Sequence, residues 1–230
     1  GSCFIFYTRR EFLLKFNPVM ESYMPTLKNV FRILSLILIV FPLHYCNGQD
    51  AVSSEVYTFK EGSSDGIGKW YMGREIAHVM GFQGIGWLER PEREEEENTS
   101  KLLRNMEIEV GDTIADIGAG SGYHVFKMAP MASEGHIYGV DIQDEMLEAI
   151  QRKKEKSTSK NISEIKGNNK SINLPENSVD KVLMVDVYHE FDYPIEMIAS
   201  VKKALRSDGK LYLIEYSFAI YTFLKFFFCY

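Results

Sequence analysis

Cysteine is nearly missing. The 230-residue chain has three, Cys3, Cys46 and Cys229, and none lies between residues 47 and 228. That stretch therefore holds neither a disulfide framework nor a cysteine zinc site. An excess of positive charge is missing too: 26 Lys and Arg face 32 Asp and Glu, a formal net charge of −6, so no global basic field draws nucleic acid. No apolar run reaches the ~20 residues that a membrane-crossing helix needs. The strongest, Ile33–Phe41, is nine residues long with Ser35 as its only polar member. His44, His78, His124 and His136 lack the spacing of metal ligands, so no metal is expected. What remains, 45% hydrophobic and 25% charged residues, excludes wholesale disorder and a polytopic membrane protein and leaves room for one ordinary domain with extensions.

The two ends differ from the middle. Lys28 and Arg32 precede an apolar stretch over residues 30–43, and Cys46-Asn47-Gly48 follows it. Charge, a short apolar segment and small residues in that order read as an export signal within residues 24–48, with membrane contact through 30–43 as the competing reading. The expected location is then exported or membrane-anchored, and cytoplasmic if the segment is no signal. Met20 and Met24 are candidate starts, which sets residues 1–19 aside from the fold. Residues 217–230, SFAIYTFLKFFFCY, carry seven aromatics and one charge, Lys225; exposed, such a segment self-associates.

Between them strand and helix alternate. Thr113–Ile117, His136–Val140, Ile162–Ile165, Val179–Val185 and Leu211–Ile214 read as strands. The apolar run of the fourth suits burial on both faces. Tyr123–Met131, a segment after Asp144 and Pro194–Leu205 carry helical apolar spacing, with Asp144 placed to cap its helix and Ser207-Asp208-Gly209 as a turn. This order predicts a parallel sheet. Residues 49–110 precede it as a helical extension or lid. Arg74–Met80 reads as one short helix and Pro91–Arg104 as another, with Glu94–Glu97 as a solvated face. Trp70, Tyr71, Arg74, Trp87 and Arg90 either pack on the sheet or cover a site.

Asp116-Ile117-Gly118-Ala119-Gly120-Ser121-Gly122 follows a strand and opens a helix. Glycines there let the backbone turn sharply and approach a ligand. Asp141 ends the next strand at the spacing of a ribose-binding acid. The dinucleotide fingerprint needs a third glycine where Tyr123 stands, and Asp116 sets a carboxylate beside the loop that repels a pyrophosphate. A ligand with an ammonium, a sulfonium and no phosphate is not repelled, which favours S-adenosylmethionine over NAD.

On these residues the chain resembles the class I S-adenosylmethionine-dependent methyltransferases, over about residues 111–216. DIGAGSGY is similar to their first motif, GVDIQ to their second, and LPENSVDKVLMVDVYHEF to the region through their fourth strand. ALRSDGKLYLIEY is similar to the helix, turn and fifth strand beyond it. Uncharacterised bacterial members, some with export signals, are similar upstream as well. The resemblance implies that Gly118, Gly120 and Gly122 line the methionine part, that Asp141 holds the ribose hydroxyls and that Ile142 packs on the adenine. Asn168 and Asn169 stand where many members carry an acid near the adenine amino group.

The family sheet ends in a helix and a two-strand hairpin, for which the 14 residues after Tyr216 are too few. The expected fold is therefore α/β, a Rossmann-like and mostly parallel sheet with flanking helices, its C-terminal hairpin missing and the edge of Leu211–Ile214 open. The domains expected are 1–48 leader, 49–110 extension, 111–216 cofactor-binding core and 217–230 tail. Asp186, Tyr188 and His189, at the carboxyl end of the fourth strand, are the catalytic candidates, where a ligand binds in an open parallel sheet. The expected activity is methyl transfer to an unknown small-molecule or protein acceptor. A cofactor-binding module without catalysis and an NAD-dependent oxidoreductase are the alternatives.

Overall fold

The computed structural model describes residues 2–8 and 56–216. The leader-like segment 24–48 and the aromatic tail 217–230 lie outside the described residues. Six strands form one sheet: β1 (Ser2–Thr8), β5 (Thr113–Ile117), β6 (His136–Asp141), β7 (Ile162–Lys166), β8 (Val179–Val185) and β9 (Leu205–Tyr216), in the order β1-β9-β8-β5-β6-β7. β5 to β9 are mutually parallel where they pair, and β1 runs antiparallel to β9. Helices Tyr123–Met128, Asp144–Lys156 and Pro194–Ala204 make the connections. The strand order reverses at β5, and the carboxyl ends of β5 and β8 part there, where open sheets leave a crevice.

Alternation along each strand supplies two apolar layers. Ala115, Val182, Met184, Leu211 and Leu213 face the helix Pro194–Ala204. Ile114, Leu183, Tyr212 and Ile214 face the opposite layer, with Val125, Met128 and Ile150 of the other two helices. All of these are buried, so the core strands read as continuous apolar runs because both faces are covered.

Four expectations are corrected. First, Arg74–Ala77 is strand β4, not a helix. It pairs with β3 (Gly66–Tyr71), which pairs with β2 (Tyr57–Phe59), in a separate antiparallel sheet. Met72 and Gly73 both have positive φ (50° and 78°), the twist of a two-residue hairpin turn, and this sets Tyr71 opposite Arg74. Second, the helix expected over 91–104 is broken: Asn98, in the left-handed region at φ 51°, ends Arg93–Glu97 and accepts from the Lys101 amide (3.3 Å) to start Thr99–Asn105. Third, Gln143, not Asp144, is the cap of Asp144–Lys156, and Asp144 instead accepts from Lys166 Nζ (2.7 Å). Fourth, the edge of β9 is not open. Ser2–Thr8, set aside on sequence, pairs along it from Ser2↔Tyr216 to Thr8↔Lys210, on the edge that the expected hairpin would have filled. Ser207-Asp208-Gly209 lies within β9, where the register against β8 jumps, so the turn residues form a bulge.

The small sheet is fastened to the segment after β8. Lys69 is buried, with Nζ 3.3 Å from Asp192 Oδ1, 3.3 Å from the centroid of the Tyr193 ring and 4.4 Å from that of Tyr57. Tyr57 donates to Glu196 (2.5 Å), and Arg74 Nη1 donates to the His189 carbonyl (3.0 Å).

Candidate cofactor pocket

β5 delivers the glycine loop to the crevice. The amides of Gly118 and Ala119 both donate to the Val140 carbonyl (2.9 and 3.0 Å), which folds the loop back over β6. Gly118 sits at φ 70°, and a Cβ there would lie 2.3 Å from Val187 Cγ2. Only glycine lets this backbone pass between β5 and β8. Loop, strand ends and the segment from Val79 to Glu97 enclose one pocket.

Two buried carboxylates stand in it. Asp141 Oδ2 accepts from the Gly120 amide and Oδ1 from the Gln143 amide, both at 2.9 Å. Each oxygen keeps a lone pair for another donor. Burial raises its pKa, and those amides work against the rise. Asp116 is buried more deeply, and its Oδ2 has no hydrogen-bond partner among the described residues. Burial lifts its pKa to about 7, against the nearby Arg93 guanidinium and with the charge of Asp141. The Ile142 side chain is 40% exposed, an uncovered apolar face on the pocket wall.

The pocket gathers most of the residues singled out in the sequence. Asp116, Gly118, Gly120, Asp141, Ile142, Asn168, Asn169 and Asp186 line it, and Gly122, Tyr188 and His189 do not. Gly122, at φ 85°, sets the entry of its helix against Phe126 and Ile150. The two asparagines are held by their neighbours: Asn168 Oδ1 accepts from the Lys170 amide (2.9 Å) and Asn169 Nδ2 donates to Asp192 (3.3 Å). Asp186 adopts φ 55° at the end of β8, its amide on the Ile214 carbonyl (2.8 Å). The Tyr188 ring is buried against Phe191, because the short turn after β8 tucks it under the sheet. His189 turns beside the pocket toward Glu215 of β9: Nδ1 and Oε2 are 2.7 Å apart, and Glu215 Oε1 accepts the Tyr188 amide (2.8 Å). Burial disfavours His189 protonation, yet the Glu215 bond and the charges of Glu215, Glu190 and Asp186 outweigh it and raise its pKa. Burial lifts Glu190, which lines the pocket, to about 7.

Other wall residues, apart from Trp87, were not anticipated. Met80, Trp87 and Leu88 close the pocket from the upstream segment, which Gln143 ties down by accepting from the Phe82 amide and donating to the Met80 carbonyl (both 2.9 Å). Trp87 belongs to this cover, with Arg90 stacked 3.9 Å above its ring, whereas Trp70, Tyr71, Arg74 and Arg90 do not themselves line the pocket, and Arg74 packs on the turn after β8. Arg93 and Glu97, paired at 2.8 Å, also reach the pocket, so part of the supposed solvated face points inward. His124 lines it too, buried, its Nε2 without a partner among the described residues.

Residues 108–222, half of the chain, match the family described as a methyltransferase domain. The chain is 28% identical over 108 residues to the uncharacterized methyltransferase YdaC of Bacillus subtilis, covering 47% of this chain and 58% of that protein. It is 32% identical over 114 residues to a tRNA U34 carboxymethyltransferase of Pseudoalteromonas translucida, covering 49% and 34%. The chain spans about half the length of the curated relatives it matches. A SAM-dependent methyltransferase from Aquifex aeolicus superposes with a TM-score of 0.53 at 28% identity, covering 56% of this chain and 69% of that one. With the parallel sheet, the glycine loop and the acid at the end of β6 in place, the chain belongs to the class I S-adenosylmethionine-dependent methyltransferase family.

Proposed function

We propose that the protein transfers a methyl group from S-adenosylmethionine to a small-molecule or protein acceptor. One observation carries the reading: two buried carboxylates flank the glycine loop, one of them with an oxygen that no group among the described residues satisfies. A buried oxygen without a partner costs about 1–3 kcal/mol, and a ligand ammonium removes that cost, whereas a pyrophosphate beside two acids adds to it. Asp141 has lone pairs for the two ribose hydroxyls, Ile142 offers an apolar face to the adenine, and Asn168 and Asn169 stand on the adenine side. Asp116 takes the ammonium. Asp186 stands at the acceptor end. The bound cofactor supplies a methyl already activated on a sulfonium, so the chain's part is to orient the partners and exclude water; the cover formed by Met80, Trp87 and Leu88 serves the second task.

Calorimetry on the full chain tests this reading. S-adenosylhomocysteine should bind and NAD should not, and Asp141→Ala should weaken S-adenosylhomocysteine at least tenfold in a folded protein, since charge-assisted bonds are worth about 1.5–3 kcal/mol each. Tighter binding of NAD overturns the reading. Transfer of labelled methyl from the bound cofactor to an acceptor separates an enzyme from a module that only binds.

A further inference from the structure

The strand order puts β6 and β8 on opposite sides of β5. The ribose acid Asp141 closes β6, so the β8 side of the pocket is left for the methyl acceptor. Three carboxylates gather there around one imidazole. A side-chain oxygen or ring nitrogen from each of Asp186, His189 and Glu215 lies within 4.8 Å of the other two, and His189 Nε2 is 3.9 Å from Glu190 Oε1. Even protonated, one imidazole cannot neutralise three acids. Glu215 spends one oxygen on His189 Nδ1 and the other on the Tyr188 amide, and Asp186 and Glu190 are the two that line the cavity. No lysine or arginine answers them. Among the described residues Arg93 is the only one lining the pocket, and it is paired with Glu97; Lys69 is paired with Asp192, and Arg74 Nη1 is held by the His189 carbonyl. The Glu190 side chain is 13% exposed, its Oε1 accepting the Met80 amide (3.1 Å). Burial lifts its pKa to about 7, and the charges of Asp186 and Glu215 add to the rise against His189 and that amide. Desolvated like charges are costly, and a bound cation removes the cost.

We propose that the methyl acceptor is an amine on an apolar body, bound as its ammonium by Glu190 and methylated on nitrogen. The inference rests on the S-adenosylmethionine reading above. Val187, Phe191 and Met197 line the pocket from the segment after β8 and take the apolar body. The ammonium passes one proton to the Glu190 carboxylate, which at a pKa near 7 can hold it at neutral pH. The freed nitrogen lone pair then forms the bond to the methyl carbon as the carbon–sulfur bond breaks, and that electron pair stays on sulfur as a neutral thioether. The product leaves as the N-methylammonium, and Glu190 returns its proton to water. An anionic acceptor is repelled by the same two acids, and a neutral hydroxyl gains no charge pairing from them.

The test titrates the full chain, saturated with S-adenosylhomocysteine, with three probes of nearly one shape: benzylamine, benzyl alcohol and benzoate, at pH 7. The unmodified protein should prefer benzylamine over benzyl alcohol by about tenfold or more, as expected of a charge-assisted bond, and should bind benzoate most weakly. Glu190→Gln keeps the shape and removes the charge. It should cut the preference to about two-fold while leaving affinity for benzyl alcohol nearly unchanged, which makes the alcohol an internal check on folding. With labelled S-adenosylmethionine, label should appear in N-methylbenzylamine and not in the methyl ether. The order of the three probes on the unmodified protein decides the question even if Glu190→Gln does not fold. Equal binding of amine and alcohol, tighter binding of benzoate, or binding of none of the three overturns the proposal while leaving the cofactor reading standing. A preference that survives in folded Glu190→Gln overturns the role of Glu190. Absence of S-adenosylhomocysteine binding to the folded protein overturns both readings.

Discussion

Replacing Asp116 with asparagine should uncouple cofactor binding from pH. In the free protein its pKa is about 7, raised by burial above the ordinary 3.8. Only the ionised form pairs with the α-ammonium of S-adenosylhomocysteine. About half the molecules are ionised at pH 7 and about a tenth at pH 6, so affinity should fall about fivefold between those values, and binding at pH 7 should release about half a proton. Calorimetry in two buffers of different ionisation enthalpy reads that release directly. In Asp116→Asn both effects should vanish. Stability carries the same signature. Because the folded pKa exceeds the unfolded one, the folded state binds more protons between pH ~4 and ~7, and stability falls as pH rises through that window by roughly 4 kcal/mol. The asparagine variant should lose Asp116's share of this slope and keep the share of Glu190. Glu190, also near 7 and in the same pocket, is the control: Glu190→Gln should keep the proton release. Release that persists in Asp116→Asn and disappears in Glu190→Gln would refute the assignment.

Three further outcomes are expected. Glu215→Gln should lower the His189 pKa, read by NMR titration of the ring. The stabilisation from that pair is complete below the unfolded histidine pKa and is lost as pH rises through the folded one, so the stability gap between the two proteins should narrow at alkaline pH; an unchanged ring titration would show that Glu215 does not hold the imidazole. Gly118→Ala, strained at φ 70° and 2.3 Å from Val187 Cγ2, should destabilise by about 1–3 kcal/mol and abolish S-adenosylhomocysteine binding. Gly73→Ala, at φ 78° with nothing within 4 Å, should cost less, and equal melting temperatures for the two variants would contradict the steric argument. Lys69→Met removes a desolvated cation from between two tyrosine rings, worth about 2 kcal/mol, and should speed hydrogen exchange in β2–β4 while leaving β5–β8 protected; uniform acceleration would mean that the small sheet is not an independent unit.

The parallel core was legible because each strand is a short apolar run closed by turn residues, and burial on both faces makes such runs hard to mistake. The glycine loop and Asp141 were legible because their spacing is local. Arg74–Met80 was not. Ile76, Val79 and Met80 stand at i, i+3 and i+4, the helical spacing, yet the two-residue turn at Met72-Gly73 commits Arg74 to pair with Tyr71. Periodicity sees side-chain spacing and misses a backbone turn at a non-glycine residue such as Met72. Arg93 escaped for another reason. Which member of a charge run faces inward depends on the phase of its helix, and here the helix is cut at Asn98. Tyr188 lies buried outside the pocket lining, a placement the sequence does not give, because a polar aromatic at a strand end serves equally well as wall or core and only the tightness of the following turn decides.

The outermost strand pair joins Ser2–Thr8 to residues 210–216, positions more than two hundred residues apart in the chain. Closing so long a loop is slow and entropically costly, so β1 is expected to dock after the parallel strands have assembled. Until it does, one side of β9 presents unpaired amides and carbonyls. Refolding then becomes a race between capture of β1 within the chain, which is independent of concentration, and pairing with the β9 of another molecule, which is not. Yield on refolding should therefore fall with protein concentration, and a synthetic Ser2–Thr8 peptide added in excess should restore it.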